Sequence, residues 1–435
     1  MALFALAATS LLQASQDASF PFITRDGDRL MEGDREFRFI SINHPNLHIS
    51  ENPTWRRMTP WEQEDGIRSI AQMGGQVVRI YTLSVKGGRR NGDGLSHIRG
   101  PKDYDEELLR DFDQVVALCG KHKVRLIIPF IDEWDWFGGI GEFAALHGKP
   151  KEAFYTDPEV MASFRDVVKM LVTRVNTVTG IPYNEDPTIM VWESGNELRD
   201  DPEQWVCELG AYVKELAPRQ LFQDGHCGVR PMPLADANVD LLTNHYYGRY
   251  DFAEAARKHR EETKGRKPFY VGEYDPRNTG NLLEEVISNG LAGAMAWGLR
   301  GHAAEGGYFC HFDPLYYHWP HSPVTRQLRK AAYAIQGLPE PLMEVPDAPE
   351  LIHSTNPRKL TWRGSTGAET YTLERALSEE GPWTVVAEGI RDNRCSGETL
   401  FDDEGAPNVW PIFYRLKAAN ESGESPYSPI MRCGR

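Results

Sequence analysis

The chain has 435 residues, of which 40% are hydrophobic and 11% aromatic, and a formal net charge of −15. That length exceeds one ordinary domain and is ample for a large buried core. The acidic balance argues against nucleic acid as a partner, which needs a basic face, and leaves neutral polymers open.

Residues 1–18, MALFALAATSLLQASQDA, include an apolar run, Ala2–Leu12. It is too short to span a bilayer. It reads as the core and small-residue end of a secretory signal that lacks a basic start, or as a plain N-terminal extension. The first reading predicts a secreted or periplasmic protein. No other stretch is long and apolar enough for a membrane span. Next, Phe22–Phe39 reads as a hairpin with turn signals at Asp26-Gly27 and Gly33-Asp34, closing the bottom of the domain whose strands begin at its end.

Strands and helices then alternate. Predicted strands are Phe37–Asn43, Val77–Thr82, Val124–Ile131, Thr188–Trp192, Leu221–Asp224, Leu241–Tyr246, Phe269–Glu273 and Ala292–Trp297. Between them lie amphipathic segments such as Pro60–Met73, Glu106–His122, Pro158–Asn176, Glu203–Leu216 and Leu282–Asn289. Alternation implies parallel pairing, and eight units imply a closed (β/α)8 TIM barrel over residues 19–336. An open doubly wound sheet is the runner-up, disfavoured because no glycine-rich phosphate turn follows the first strand. Residues 337–350, with four prolines, read as a linker. From 351 to 435 short alternating strands imply a small all-β sandwich. TYTLERALSEEGPWTVVAEG and YRLKAANESGESPYS resemble a fibronectin type III module, expected to act as a spacer.

In a barrel the strand ends face one mouth, so their terminal residues form a group. Thr188–Arg199, TIMVWESGNELR, carries Glu197 past an apolar strand, and PFYVGEYD ends another strand in Glu273. Two carboxylates so placed are what glycosidic cleavage needs, one to give a proton and one to act as nucleophile or base. Two surface loop charges are the bland alternative. The second strand, VVRIYT, ends with Arg79 and Tyr81, and Arg79 can hold a carboxylate ionised or form a structural ion pair. In IDEWDWFGG, Trp134 and Trp136 can stack on sugar rings or pack, while Asp132, Glu133 and Asp135 can bind hydroxyls or stay solvated. Asn196 can donate to a sugar 2-hydroxyl. His245 and Tyr247 share one side of a strand, with Tyr247 placed to donate to the nucleophile. Trp297 can floor the pocket or sit in the core. The loop Arg300–Pro323 is long and aromatic, which predicts a wall at the mouth. Its histidines lack ligand spacing. None of the six cysteines forms a CxxC pair; Cys119 reads as a core residue, and Cys395 can pair with Cys433.

These residues resemble glycoside hydrolase family 5 of the retaining clan A, and within it endo-β-1,4-mannanases, over roughly residues 22–335. The specific stretches are FYTDPEVMASFRDVVKMLVTRVNTVTGIPYNEDPTIMVWESGNEL and LIIPFIDEWDWFGG. The resemblance implies that Glu197 is the acid/base and Glu273 the nucleophile, with Arg79, Asn196, His245, Tyr247 and Trp297 in supporting positions. Four features depart from the pattern. Ser194-Gly195 stands where leucine–methionine is usual, NHPNLH replaces a Tyr-Trp pair, and Asp132-Glu133 replaces paired asparagines. The loop after Trp297 is also longer.

The expected activity is therefore retaining hydrolysis of β-mannan or a related β-linked polysaccharide, with no metal or organic cofactor. The alternatives are an exo-acting β-glycosidase, such as a β-mannosidase, on oligosaccharides, and a non-catalytic carbohydrate-binding protein. A retaining pair is expected about 5–5.5 Å apart. Glu273 should be ionised beside Arg79 and Tyr247, and the Glu197 pKa raised. Oligomeric state is not encoded in these signals.

Overall fold

The computed structural model describes residues 20–51, 55–89, 94–310 and 322–434. The eight expected runs appear as short strands: Phe39–Ile42, Val77–Arg79, Arg125–Pro129, Ile189–Glu193, Leu221–Gln223, Leu242–Tyr246, Phe269–Tyr274 and Gly293–Ala296. Strands two to five form one parallel four-stranded sheet, and six, seven, eight and one form another. A parallel bridge, Gln223 with Leu241, joins them on one side. On the other, the His44 N–H donates to the Arg79 carbonyl at 3.0 Å. The two sheets thus close into a barrel. Every residue of the fourth strand is buried, which is why the sequence there shows an apolar run without alternation.

Helices start where the sequence supplies caps. Thr59 and Glu62 form a capping box on Pro60–Gln72, and Asp105 and Asp157 cap Glu106–Lys121 and Pro158–Val172. Among the helices that escape the sequence reading are Phe252–Thr263 and Pro323–Ile335. The first buries only Phe252, Ala253, Ala256 and Thr263, a stripe too thin to register against its charges. The N-terminal strands Ile23–Asp26, Arg29–Glu32 and Arg35–Phe37 pack Ile23, Leu30 and Phe37 against Val77, Ile127, Val191 and Leu241, which floors the barrel. No helix among the described residues is long and apolar enough to cross a membrane.

Beyond residue 350 the regular elements among the described residues are all β-strands. Thr370–Ala376, Thr384–Ile390, Ile412–Asn420, Gly423–Glu424 and Met431–Cys433 make one antiparallel sheet over a core that includes Trp362, Tyr371 and Tyr414. This part does not hang free as a spacer. The stretch before it lies on the barrel, with Asp347 on Arg68 at 2.6 Å and the Pro341 carbonyl accepting from Arg329 at 2.6 Å. Cys395 forms a disulfide with Cys310, in the loop after the eighth strand. The pairing with Cys433 is thus overturned. Cys433 is free and buried on a strand beside Ile412, whereas Cys395 lies on a loop bridged to Tyr308. His302, from the same barrel loop, sits between Asp65 of Pro60–Gln72 and Asp392 of the C-terminal part, at 2.9 and 3.2 Å. His311, His318 and His321 of the expected mouth loop lie outside the described residues.

Candidate active site

The strand ends bring most of the candidates together. Arg79 ends the second strand and is 1% exposed. Its Nη1 donates to Glu273 Oε1 at 2.7 Å and its Nη2 to Asn196 Oδ1 at 2.8 Å. Its Nε and Nη2 grip both oxygens of Glu193 at 2.7 and 3.1 Å. Tyr247 donates its hydroxyl to Glu273 Oε2 at 2.5 Å. His245 Nδ1 lies 2.9 Å from Glu197 Oε1 and 3.6 Å from Glu273 Oε2. Those two carboxylate oxygens are therefore no more than about 6.5 Å apart, the lower edge of the roughly 6.5–9.5 Å range of inverting enzymes.

Glu197 is aimed by the packing of three loops. It has φ of 53°, a left-handed backbone that bulky residues rarely adopt. The Asn196 N–H donates to the Ile131 carbonyl at 2.7 Å, and the Leu198 N–H to the Gly225 carbonyl at 3.2 Å. A Cβ on Gly225 would lie 1.7 Å from the Gly195 carbonyl oxygen, and one on Gly195 would meet the Ile131 carbonyl at 2.8 Å. Ser194 Oγ accepts from the Gly225 N–H at 2.8 Å. The Ser194-Gly195 departure thus suits a close approach that larger side chains would block.

The remaining candidates have more specific surroundings than the sequence offered. Trp134 is 38% exposed, donates Nε1–H to Glu197 Oε2 at 2.7 Å, and carries Arg199 over its ring at 4.3 Å. Trp136 donates to Glu51 at 2.9 Å. Trp297 is half-buried and lines a cavity of about 170 Å³ with Tyr81, Trp136, Phe137 and Arg300. Asp132 is not solvated: it is fully buried, accepting from Tyr81 at 2.5 Å and from Asn196 Nδ2 at 2.8 Å. Glu133 pairs with Lys151 at 2.5 Å, and the half-exposed Asp135 with Arg89 at 3.0 Å.

Protonation differs from the sequence expectation. Burial would raise the Glu197 pKa, but the hydrogen bond and charge of His245, the Trp134 N–H and the Arg79 charge hold it at about 2. Burial would lower that of His245, but Glu273 and Glu197 outweigh it and raise it. Burial raises Glu273, opposed by His245 and Arg79 and helped by the Glu197 charge. His245, Glu197 and Glu273 lie in one another's fields, so the three groups titrate as a unit. Burial also pushes Asp132 up to about 7, against the hydrogen bonds from Tyr81 and Asn196.

Sequence reasoning missed Glu193, fully buried on Arg79. Its signal was present, a carboxylate ending an apolar strand, as at Glu273. It also missed Cys227, an exposed free thiol whose Sγ lies within 4.8 Å of donor atoms of Glu197 and His245.

A family model described as GH family 5 beta-mannosidase-like matches residues 21–250, over half of the chain. The chain belongs to glycoside hydrolase family 5. A putative mannan endo-1,4-β-mannosidase from Oryza sativa subsp. japonica is 35% identical over 211 residues, 43% of this chain and 42% of the relative. A mannan endo-1,4-β-mannosidase from Solanum lycopersicum is 26% identical over 361 residues, 68% of this chain and 87% of the relative. The family 5 chain thus spans about two-fifths of the rice protein and most of the tomato one. Among solved structures, an endo-β-1,4-mannanase from Thermotoga petrophila aligns with TM-score 0.62 and 21% identity, covering 92% of this chain and 98% of its own. One from Rhizomucor miehei aligns with TM-score 0.63 and 18% identity, covering 73% and 99%. These two likenesses concern the fold, an α/β barrel.

Proposed function

We propose that this family 5 chain is a retaining β-glycoside hydrolase that cleaves β-1,4-linked mannan by double displacement. The observation that carries the reading is the convergence of Glu197 and Glu273 on His245, with Arg79 and Tyr247 both donating to Glu273. The names of the plant relatives support mannan as the substrate. Glu273 attacks the anomeric carbon, its negative charge oriented by the two donors. Glu197, 2.9 Å from His245, protonates the leaving oxygen. Glu197 then takes a proton from water, which releases the sugar from Glu273. Asn196, held by Arg79 and Asp132, presents its amide to the sugar 2-hydroxyl. Trp297 and Trp134 lie beneath and beside the reacting rings. Residues 19–336 form the catalytic domain, 337–350 the connection, and 351–435 a fibronectin type III-like sandwich. The protein is secreted or periplasmic, a reading supported by the apolar run Ala2–Leu12.

Exo action on oligosaccharides is the second reading, favoured by the cavity beside Trp297. A rapid fall in the viscosity of soluble mannan before reducing sugar accumulates excludes it. A non-catalytic carbohydrate-binding role is disfavoured because both carboxylates are present. The chemistry is tested with Glu197→Ala, aryl mannosides and azide. A β-mannosyl azide is expected; an α-mannosyl azide overturns the retaining assignment, and no turnover by the wild-type chain overturns the reading.

A further inference from the structure

Cys227 stands at the cleft with no part in the proposed reaction. It follows the fifth strand in DGHCG and is exposed, while the other free cysteines, Cys119, Cys207 and Cys433, are buried. Its Sγ, a carboxylate oxygen of Glu197 and a ring nitrogen of His245 all lie within 4.8 Å of one another. Sulfur, imidazole nitrogen and carboxylate oxygen are the donor types that zinc-class ions select. A tetrahedral ion with bonds of about 2.0–2.3 Å places its donors some 3.3–3.8 Å apart, so the three need close by only about 1 Å. Glu197 and Cys227 sit on the loops after the fourth and fifth strands and His245 on the sixth strand, and the side chains of Glu197 and His245 are 22% and 3% exposed. The thiol also lies in the field of Glu197 and Glu273, which favours a cation over a second anion there.

We propose that Cys227, His245 and Glu197 form a binding site for one thiophilic divalent cation, Zn²⁺ or Cd²⁺, and that its occupation switches hydrolysis off. The cation lies between His245, Glu197 and Cys227. Any proton on the ligating His245 nitrogen and the Cys227 thiol proton leave to solvent, and the ion is held by thiolate, neutral imidazole and carboxylate. Glu197 can then neither give a proton nor accept one from water. A soluble thiophilic ion thereby becomes a reversible competitor of the substrate. The switching claim rests on the hydrolase reading; the binding claim does not.

The test uses the full chain and Cd²⁺ alone. Titration should give one ion per chain and an ultraviolet thiolate-to-cadmium charge-transfer band. Cys227→Ser should abolish the band, and Cys227→Ser and His245→Gln should each weaken binding by more than about tenfold. Should Cys227→Ser fail to fold, Cys227→Ala gives the same reading. For wild type, Zn²⁺ should inhibit mannan hydrolysis competitively and reversibly to chelator. In Cys227→Ser its inhibition constant should rise by the same factor as the binding constant. A band unaffected by His245→Gln means a simple thiol adduct and overturns the site. Stoichiometric binding to a fully active enzyme overturns the placement on Glu197. A wild type that binds Cd²⁺ as expected yet hydrolyses nothing refutes the hydrolase reading and leaves the site standing.

Discussion

His302 should make the stability of this protein fall as pH rises above neutrality. It is 2% exposed, with Nδ1 2.9 Å from Asp65 Oδ1, Nε2 3.2 Å from Asp392 Oδ2, and the Tyr308 ring 4.3 Å away. Thr366 donates to Asp65 at 2.8 Å and Tyr371 to Asp392 at 2.7 Å. Burial would lower the His302 pKa, but the charges and hydrogen bonds of the two aspartates raise it to about 10. An unfolded histidine titrates near about 6.5. A folded pKa above the unfolded one gives stability that is fully present below 6.5 and lost as pH climbs through the folded value. The slope between them is about 1.4 kcal/mol per pH unit, and from about pH 6.5 to 8.5 the loss is about 2 kcal/mol. Urea unfolding of wild type and His302→Gln at those two pH values reads this effect, together with that of the aspartates His302 pairs with, as a difference in pH slope. Wild type should lose about 2 kcal/mol more than the variant. Equal losses in both would mean that His302 is neutral in the folded protein, and the reasoning fails.

Tyr247→Phe removes one of two donors to Glu273 and should lower kcat/KM on mannan roughly 10- to 100-fold, the worth of a hydrogen bond to a charged group; an unchanged kcat/KM would sink that role. Gly225→Ala would put a methyl group 1.7 Å from the Gly195 carbonyl. By displacing Glu197 it should cost about 100-fold or more in kcat while circular dichroism stays native. Cys395→Ser opens the Cys310–Cys395 disulfide, which spans 85 residues. It should destabilise the chain by about 4 kcal/mol, read as a lower urea midpoint against Cys119→Ala as control. Gly364→Ala would set a methyl group 2.3 Å from His302 Nε2, so it should flatten the same pH slope that His302→Gln removes.

The barrel was legible because a strand buried on both faces leaves an unmistakable mark, an apolar run ended by a polar residue. Glu197, Glu273 and Arg79 were legible for the same reason. Glu193 carries the same mark yet does not stand out, since nothing in a single chain says that one arginine will serve two carboxylates. Asp132 reads as a possible sugar ligand because sequence shows a residue's polarity but not that Tyr81 and Asn196 will enclose it. The protonation pattern is hidden for a similar reason. The pKa of Glu197 depends on His245, 48 positions away, being within 2.9 Å. Helix Phe252–Thr263 escapes notice because four buried positions make a weak stripe. The Cys310–Cys395 pairing joins two loops of different parts, where no periodicity constrains the distance.

The C-terminal part bears on the cleft through one short segment. Trp297 and Arg300 line a cavity with Tyr81 and Trp136, and Arg300 pairs with Glu51 at 2.9 Å. Two residues on, His302 is clamped between Asp65 and Asp392, and eight further on Cys310 is bonded to Cys395. The Arg363 side chain donates to the Ala304 carbonyl at 2.8 Å, within the same segment. The segment that walls the cavity is thus held from the far side by residues of the β-sheet part. A surface loop of this length is ordinarily among the least stable parts of a domain. Here a covalent bond, a buried ion triad and a charged hydrogen bond fix it, so the cavity wall depends on the docked module as well as on the barrel that supplies the carboxylates.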